Sequence, residues 1–349
     1  MKTTRTLGVL AGVVALSLAG CATGTAPVAP TTTVTVAPST SAPASPTSTA
    51  PAELYTVNVG YMNLAMFGPL YIANAKGYFT DEGIKLNMQT VASGQDAIPL
   101  ASTGKLDVVV AGFSAGMFNA IGQGLDIKVV GSMAVSTGDP NATGTHLVSN
   151  PSITSVAQLK GKKVGAAGGA GGTGAFITAL ALETAGLTLK DIQIVNLSNP
   201  DMPTALKNGG IDAALLGAPF SFAAMKDGAN SIATPPKGYS GTGVLYGGQF
   251  LNSPYAQKFF NALAKGAKDL QNGAVNDDAN LQIIATATKQ EVATLKAAPF
   301  DTWLPNLAPL PAQLDKMQQI WMGSGAITYT TAIPTSDFVV TTFSDNVPA

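Results

Sequence analysis

The stretch KKVGAAGGAGGTGAFITALALETAGL, residues 162–187, joins a short strand pattern to an apolar helical pattern through a glycine-rich turn. Gly169, Gly171 and Gly174 form the G-x-G-x-x-G spacing that is typical of dinucleotide-binding folds. The next strand pattern, IVNLSN at 194–199, lacks the acidic residue that would hold a ribose. The stretch therefore predicts a glycine turn with free N–H groups at a helix N-terminus, where Thr173 can cap the helix or donate to a ligand. A plain tight turn that serves only packing is the alternative.

Alternating strand and helix patterns extend from this stretch in both directions, from Tyr55 to about residue 233, and this alternation predicts mostly parallel sheets. The alternation repeats after 105 residues. Val59 corresponds to Val164, and the later landmarks keep the same spacing: Asp107 with Asp212, and Gly112 with Gly217. The expected fold class is α/β, with two lobes that are each a mostly parallel sheet flanked by helices. Convergence of unrelated βαβ units would also give two such lobes.

Amphipathic helical patterns replace the alternation after Tyr246, and we interpret them as packing helices that return to cover the first lobe. Trp303 and Trp321 lie in this region and are expected in the core. The predicted domains are 53–150 together with 246–349 for the first lobe, and 151–245 for the second. Hinges are expected near Asn150 and Tyr246, where the chain would cross between the lobes.

The N-terminal segment has the pattern of a secretory signal peptide, residues 1–20, with Lys2 and Arg5 before the apolar residues 7–19. Its end, Leu18-Ala19-Gly20-Cys21, resembles a bacterial lipobox, which predicts a lipid on Cys21; a chance cysteine is the alternative. Residues 21–52 are almost entirely Thr, Pro, Ser, Ala and Val, a composition that predicts a disordered tether.

The composition restricts the chemistry that the exported chain can perform. From Cys21 onward there are 17 lysines and 20 acidic residues, and Arg5 is the sole arginine of the whole sequence. The sequence shows no cluster of basic residues that would indicate binding to nucleic acid. Cys21 is the single cysteine and His146 the single histidine. We therefore expect no disulfide, metal or cofactor, and no guanidinium clamp for an anion.

Two patterns suggest catalysis. Gly112-Phe113-Ser114-Ala115-Gly116 has the G-x-S-x-G form of a hydrolase nucleophile elbow, and Asp126 or Asp139 followed by His146 could complete a triad. However, the histidine follows the serine by only 32 residues, and no HGGG-type loop precedes it. A secreted serine esterase using Ser114 is thus the alternative function, and a solvated loop residue is the plain interpretation of His146.

Asp107 and Asp212 could form an acid–base pair. Both open a strand after a helix and a glycine turn, where Asp commonly makes local backbone hydrogen bonds, so a structural role in each lobe is favoured.

The segment GPLYIANAKGYFTDEGI, residues 68–84, resembles a signature of ABC-transporter solute-binding proteins in the nitrate, sulfonate, taurine and thiamine-precursor branch. LASTGKLDVVVAG at 100–112 and LKNGGIDAALLGAPF at 206–220 agree with it. The resemblance runs from about Tyr55 to Gly273. It implies the type II periplasmic-binding-protein fold, with a ligand cleft between the lobes, an ABC permease as partner, an extracytoplasmic location at the membrane through Cys21, and a monomer. A eukaryotic pyrimidine synthase of the same family uses histidine and a cysteine-rich motif that this sequence lacks, so that activity is not expected here.

The resemblance places the ligand at four strand-to-helix loops, because ligands of open α/β sheets meet the C-terminal ends of strands. The expected ligand-binding residues are Asn63, Met66, Phe67, Gly68, Phe113, Ser114, Ala115, Gly171, Gly172, Thr173, Gly174, Pro219 and Phe220. The ligand expected is a small organic solute, such as a sulfonate or another small anion, bound without turnover. Because the loops carry aromatic residues and no arginine, a flat aromatic or heterocyclic solute with one weakly held anionic group fits better than nitrate.

Overall fold

The computed structural model of the chain describes residues 53–349. The signal segment, Cys21 and the tether up to Ala52 lie outside the described residues. Within residues 53–349, no helix combines the length and the apolar character that crossing a bilayer requires.

Ten strands alternate with helices over the first two thirds of the described chain. The strands are β1 (Tyr55–Tyr61), β2 (Ile84–Thr90), β3 (Val108–Gly112), β4 (Ile127–Ser132), β5 (His146–Ser149), β6 (Lys163–Ala166), β7 (Gln193–Asn196), β8 (Ala213–Leu216), β9 (Asn230–Ala233) and β10 (Thr242–Gly247). The fully buried β3, with the sequence VVVAG, shows why these segments are strands, since β-branched residues suit a sheet that is covered on both faces.

Thirteen α-helices lie within the described residues. They are α1 (Gly68–Ala75), α2 (Tyr78–Asp81), α3 (Gly94–Ser102), α4 (Ala115–Gly122), α5 (Thr173–Glu183), α6 (Met202–Lys207), α7 (Phe220–Lys226), α8 (Gly248–Leu251), α9 (Ala256–Lys268), α10 (Asp278–Thr288), α11 (Val292–Lys296), α12 (Pro311–Ser324) and α13 (Thr342–Asp345). α1 and α2 are separate helices because Gly77, which lies between them, adopts the left-handed conformation at φ +78°.

The strands form two five-stranded sheets with the same architecture. Their orders are β2-β1-β3-β10-β4 and β7-β6-β8-β5-β9. In each sheet the first three strands are parallel, and one inserted strand, β10 or β5, is antiparallel to both of its neighbours. Four strands in each sheet thus run in one direction, which confirms the expected two-lobe α/β fold.

The 105-residue repeat is confirmed by equivalent hydrogen bonds in the two sheets. Asp107 Oδ2 accepts from the Asn58 N–H at 2.7 Å, and Asp212 Oδ2 accepts from the Lys163 N–H at 2.8 Å. Both the donors and the acceptors are separated by 105 residues. Each aspartate joins the start of its strand to the neighbouring strand of the same sheet, so the structural interpretation of the pair is correct.

The crossings between the lobes come earlier in the chain than the expected boundaries at residues 150 and 246. His146–Ser149 already belongs to the second sheet, and Thr242–Gly247 belongs to the first. The chain therefore crosses at 133–145 and returns at 234–241. Each sheet thus contains one strand, β10 or β5, that is adjacent in sequence to the elements of the other lobe. The sequence does not indicate this exchange of strands, because β5 and β10 are short and the strand and helix pattern continues through them.

The C-terminal helices cover the first lobe and also reach the second. Trp321 of α12 is fully buried, and its ring centroid lies 5.8 Å from that of Phe118 in α4 and 5.9 Å from that of Phe176 in α5. Trp303 is 2% exposed. Both tryptophans are thus core residues, as expected, and α12 packs against helices of both lobes.

Candidate functional site

A cavity lies between the two lobes, with an empty volume of about 820 Å³ that includes its opening to solvent. The residues around it follow the C-terminal ends of strands in both sheets: Met62 after β1, Gly112 at the end of β3, Ala167 after β6 and Gly217 after β8. This is the edge at which α/β sheets bind ligands.

Five of the thirteen residues that the sequence predicts for the site line this cavity. They are Met66, Phe113, Gly172, Thr173 and Gly174. The first two come from the first lobe and the other three from the N-terminal turn of α5. The structure thus brings the first-lobe loops and the glycine-rich stretch together.

The other eight predicted residues do not line the cavity: Asn63, Phe67, Gly68, Ser114, Ala115, Gly171, Pro219 and Phe220. Phe67 has no exposed surface and packs in the core. A side chain on Gly68 would meet Leu270 and Ile284. Phe67 and Ser114 are buried within their own lobe, so their side chains do not reach the cavity.

Ser114 is placed as a helix cap. Its Oγ accepts from the Met117 N–H at 3.2 Å, and the residue is 1% exposed. His146 is not a loop residue, since it lies in β5 and is 4% exposed, which corrects the expectation of a solvated position. Its ring nitrogens pair with Ser231 Oγ at 2.8 Å and Thr143 O at 3.0 Å, and burial lowers its pKa. Neither residue is positioned for a catalytic triad.

Other residues reach the cavity from outside the four predicted strand-to-helix loops, and the sequence did not indicate them. They belong to the start of α3 with its N-cap (Ser93, Gly94 and Gln95), to the two crossings (Ala134, Ser136, Thr145, Pro235, Tyr239 and Gly241) and to the C-terminal region (Asp301). The crossings carry one signal that could have revealed them, since a chain that passes between two lobes must run beside the cleft.

The Thr173 side chain lies between Gly112 and Gly241 on the opposite side of the cavity, in a space that we call the Thr173 slot. Its hydroxyl donates to Phe113 O at 2.8 Å and lies within 3.0 Å of Gly241 O. A Cβ on Gly112 would overlap Thr173 Oγ1, and a Cβ on Gly241 would overlap Thr173 Cγ2. Thr173 does not cap its helix, since Gly172 occupies the N-cap. Its side chain instead ties α5 to the loop after β3 and to the second crossing.

Asp301 is the sole charged residue among those that line the cavity. Thr143 Oγ1 donates to its Oδ1 at 2.6 Å, and Thr145 Oγ1 donates to its Oδ2 at 3.4 Å. Burial raises the pKa of Asp301 from 3.8 to about 6, although the two hydroxyls act in the opposite direction. No lysine of the described chain forms an ion pair with it.

Most hydroxyl groups around the cavity already donate to the protein. Ser136 donates to Pro235 O, Thr145 to Asp301, and Ser93 to Asp96. Thr242 differs, since its buried Oγ1 finds no hydrogen-bond partner among the described residues. The first-lobe wall adds apolar side chains, including Met62, Leu64, Met66 and Phe113.

The sequence of residues 65–273 matches the family described as NMT1/THI5-like, and the chain belongs to that family. A protein of Bacillus subtilis (strain 168) named as an aliphatic sulfonates-binding protein is 33% identical over 185 residues, which are 52% of this chain and 53% of that protein. A protein of Brucella abortus (strain 2308) named as a binding protein is 26% identical over 233 residues, 64% of this chain and 69% of its own length.

Among solved structures, the chain is similar to the alkanesulfonate-binding protein SsuA of Xanthomonas axonopodis pv. citri bound to MOPS. The TM-score is 0.65 at 20% identity, and the match covers 83% of this chain and 99% of that one. At this identity the likeness establishes the fold. The fold and the family together define the class, a solute-binding protein of the sulfonate and nitrate branch.

Proposed function

We propose that this chain is the extracytoplasmic substrate-binding component of an ABC importer, and that it binds a small organic solute in the cavity between its lobes without changing it chemically. The observation that carries the proposal is the cavity itself, which both lobes build from the ends of equivalent strands and close through Thr173. The names of the relatives support a sulfonate or a similar organic solute. A permease would be the protein partner of a monomer.

Binding is tested by differential scanning fluorimetry against panels of sulfonates, aromatic carboxylates and pyrimidines. A solute present at 100 times its Kd should raise the free energy of unfolding by about 2.7 kcal/mol. We expect at least one panel to give a saturable increase in Tm. Absence of any increase across all three panels, with a folded protein, would contradict a solute-binding role for these classes.

The lack of turnover is tested on whichever compound binds, by recovering it after long incubation and comparing its mass and chromatographic behaviour with those of the starting compound. Recovery unchanged is expected, because Ser114 and His146 both have structural partners. Product that forms with the wild type and disappears with Ser114→Ala would establish the hydrolase instead. Loss of the cap should cost that variant about 1 kcal/mol of stability, so its folding is checked by circular dichroism.

Anchoring is a separate part of the proposal, and it rests on the sequence before residue 53. Lipid on Cys21 would hold the lobes at the outer face of the membrane through the tether. Cys21→Ser should release the full-length protein into the soluble fraction, whereas the wild type should stay with the membranes. A Cys21→Ser chain that remains in the membrane fraction would contradict a lipid anchor.

A further inference from the structure

The cavity contains one negative charge and no positive one, which is an unusual environment for an anionic solute. Asp301 lines the wall, whereas the lysines, and His146 as well, are absent from the lining residues. A carboxylate in a partly dehydrated cavity repels an anion and attracts a cation more strongly than it would in water, because the local dielectric constant is lower.

Some of the hydrogen-bond donors of the cavity are already engaged with the protein. Four hydroxyls in the lining donate their protons to protein acceptors, namely those of Ser93, Ser136, Thr145 and Thr173. A sulfonate or nitrate needs several donors. In this cavity the remaining side-chain donors are the Tyr239 and Thr242 hydroxyls and the amides of Gln95 and Asn199, and none of them carries a positive charge.

Asp301, in contrast, keeps acceptor capacity. Each of its carboxylate oxygens accepts from one threonine hydroxyl, at 2.6 Å for Oδ1 and 3.4 Å for Oδ2, and an ionised carboxylate has about four lone-pair positions. Burial without a cationic partner is costly for such a group, and this cost accounts for its raised pKa. A ligand that supplied the positive charge would remove the cost.

Thr242 provides a second, independent observation. Its Oγ1 is buried and has no partner among the described residues, and Thr242 is one of the residues that line the same cavity. A buried hydroxyl without a partner is uncommon, since most buried polar groups are hydrogen-bonded. It indicates that a polar group of the ligand completes this wall.

We propose that the solute carries a protonated nitrogen, an amine or an amidine-like group, and that this nitrogen binds Asp301 while the rest of the molecule rests on the apolar first-lobe wall. This inference rests on the proposed function and narrows it to cationic or zwitterionic organic solutes. An acidic group on the same molecule would then face the N-terminal turn of α5, across which Gly172, Thr173 and Gly174 line the cavity.

The test compares matched compounds that differ in one amino group, using isothermal titration calorimetry at pH 7.5. The pairs are 2-aminoethanesulfonate with ethanesulfonate, and benzylamine with benzyl alcohol. For the wild type, the amino member of at least one pair should bind about tenfold or more tightly, as expected for a hydrogen bond to a charged group. In Asp301→Asn the ratio should fall to about threefold or less.

Asp227→Asn is the matched control, because it removes one negative charge from an exposed ion pair with Lys207 in the second lobe. It should keep the wild-type preference for the amine. A preference that persists in Asp301→Asn, or that disappears equally in Asp227→Asn, would overturn the assignment to Asp301. Both variants are first shown to be folded by circular dichroism.

The two proposals fail in different ways. If the compounds without an amino group bind the wild type as well as their partners do, the preference for a cation is wrong and solute binding stands. If the wild type binds no member of either pair and no compound of the three panels above, the solute-binding proposal fails, and the inference falls with it.

Discussion

The two lobes share their strands but differ in the loops that face the cavity. After β1 and β3, the first lobe presents side chains such as Met62, Leu64 and Phe113, whereas after β6 the second lobe presents mainly glycine backbone and Thr173. The equivalent aspartates Asp107 and Asp212 keep one role in both lobes. The residues that stabilise the sheets are therefore equivalent in the two lobes, whereas the loops that line the cavity differ between them.

The glycines at equivalent positions 112 and 217 give the sharpest test of this divergence. Gly112→Ala should place a Cβ on Thr173 Oγ1, whereas the same change at Gly217 would meet only the flexible end of Met66, at 3.2 Å. Overpacking costs about 1–3 kcal/mol, so Gly112→Ala should lower stability by that amount or hold the lobes apart. Gly217→Ala should stay within about 1 kcal/mol of the wild type.

Urea unfolding and small-angle X-ray scattering measure these two outcomes. We expect a lower unfolding midpoint or a larger radius of gyration for Gly112→Ala alone. Equal behaviour of the two variants would mean that the Thr173 slot does not distinguish the lobes.

Thr173 and Thr178 allow a comparison within one helix of the second lobe. The Thr173 hydroxyl donates across the cavity to the Phe113 carbonyl, whereas Thr178 Oγ1 donates at 2.7 Å to Gly174 O of the same helix. Thr173→Val should weaken lobe closure by about 1–2 kcal/mol and reduce affinity about tenfold for a solute that requires the closed state. Thr178→Val should leave closure unchanged.

Titration calorimetry and scattering, applied to both valine variants, distinguish a contact between lobes from a contact within the helix. A loss of affinity without any change in the radius of the free protein would indicate that Thr173 acts on the ligand directly rather than through closure.

Asp301 predicts a pH dependence that the repeat aspartates do not share. Its pKa is about 6 in the folded chain against 3.8 ordinarily, so between these values the folded state holds a proton that the unfolded state has released. The contribution of Asp301 to stability should therefore fall as pH rises from about 4 to about 6 and stay low above that. The lowered pKa of His146 acts in the opposite direction, toward lower stability in acid.

The measurement is the difference between the wild type and Asp301→Asn in urea unfolding at a series of pH values, because His146 contributes equally to both proteins. The variant should gain stability relative to the wild type as pH rises through this interval. A difference that is constant from pH 4 to pH 7 would show that the Asp301 carboxyl titrates alike in both states.

The smallest expected effect concerns the equivalent aspartates. Asp107 Oδ2 accepts from both the backbone N–H and the side-chain amide of Asn58, whereas Asp212 Oδ2 accepts from the Lys163 N–H alone. Asp107→Ala should cost about 1 kcal/mol, and Asp212→Ala should cost less. Unfolding midpoints measured side by side check the order, and a larger loss for Asp212→Ala would show that the two contacts are not equivalent.

Local patterns sufficed to predict the strands, most helices and the repeat, because periodicity, glycine turns and strand-opening aspartates are short-range signals. Burial of Trp321 agrees with its place in the amphipathic helix α12, whereas Trp303 lies between α11 and α12, so its burial was expected from the residue type alone. The insertion of β5 and β10 could not be predicted, since a strand of four to six residues carries no information about a partner more than 60 residues away. Asp301 was missed for the same reason, because nothing in the sequence around it indicates which loop it will face.

The exchange of β5 and β10 also sets the order in which the protein can be completed. The first sheet lacks a strand between β3 and β4 until residues 242–247 have been synthesised, by which time every strand of the second sheet already exists. A nascent chain that ends near residue 150 would expose two unpaired strand edges, which are sites for aggregation. Pairings across more than 100 residues also fold slowly. The first lobe thus begins to be synthesised before the second lobe but is completed after it. For the same reason, the gene cannot be cut between the lobes to give two independently folding halves.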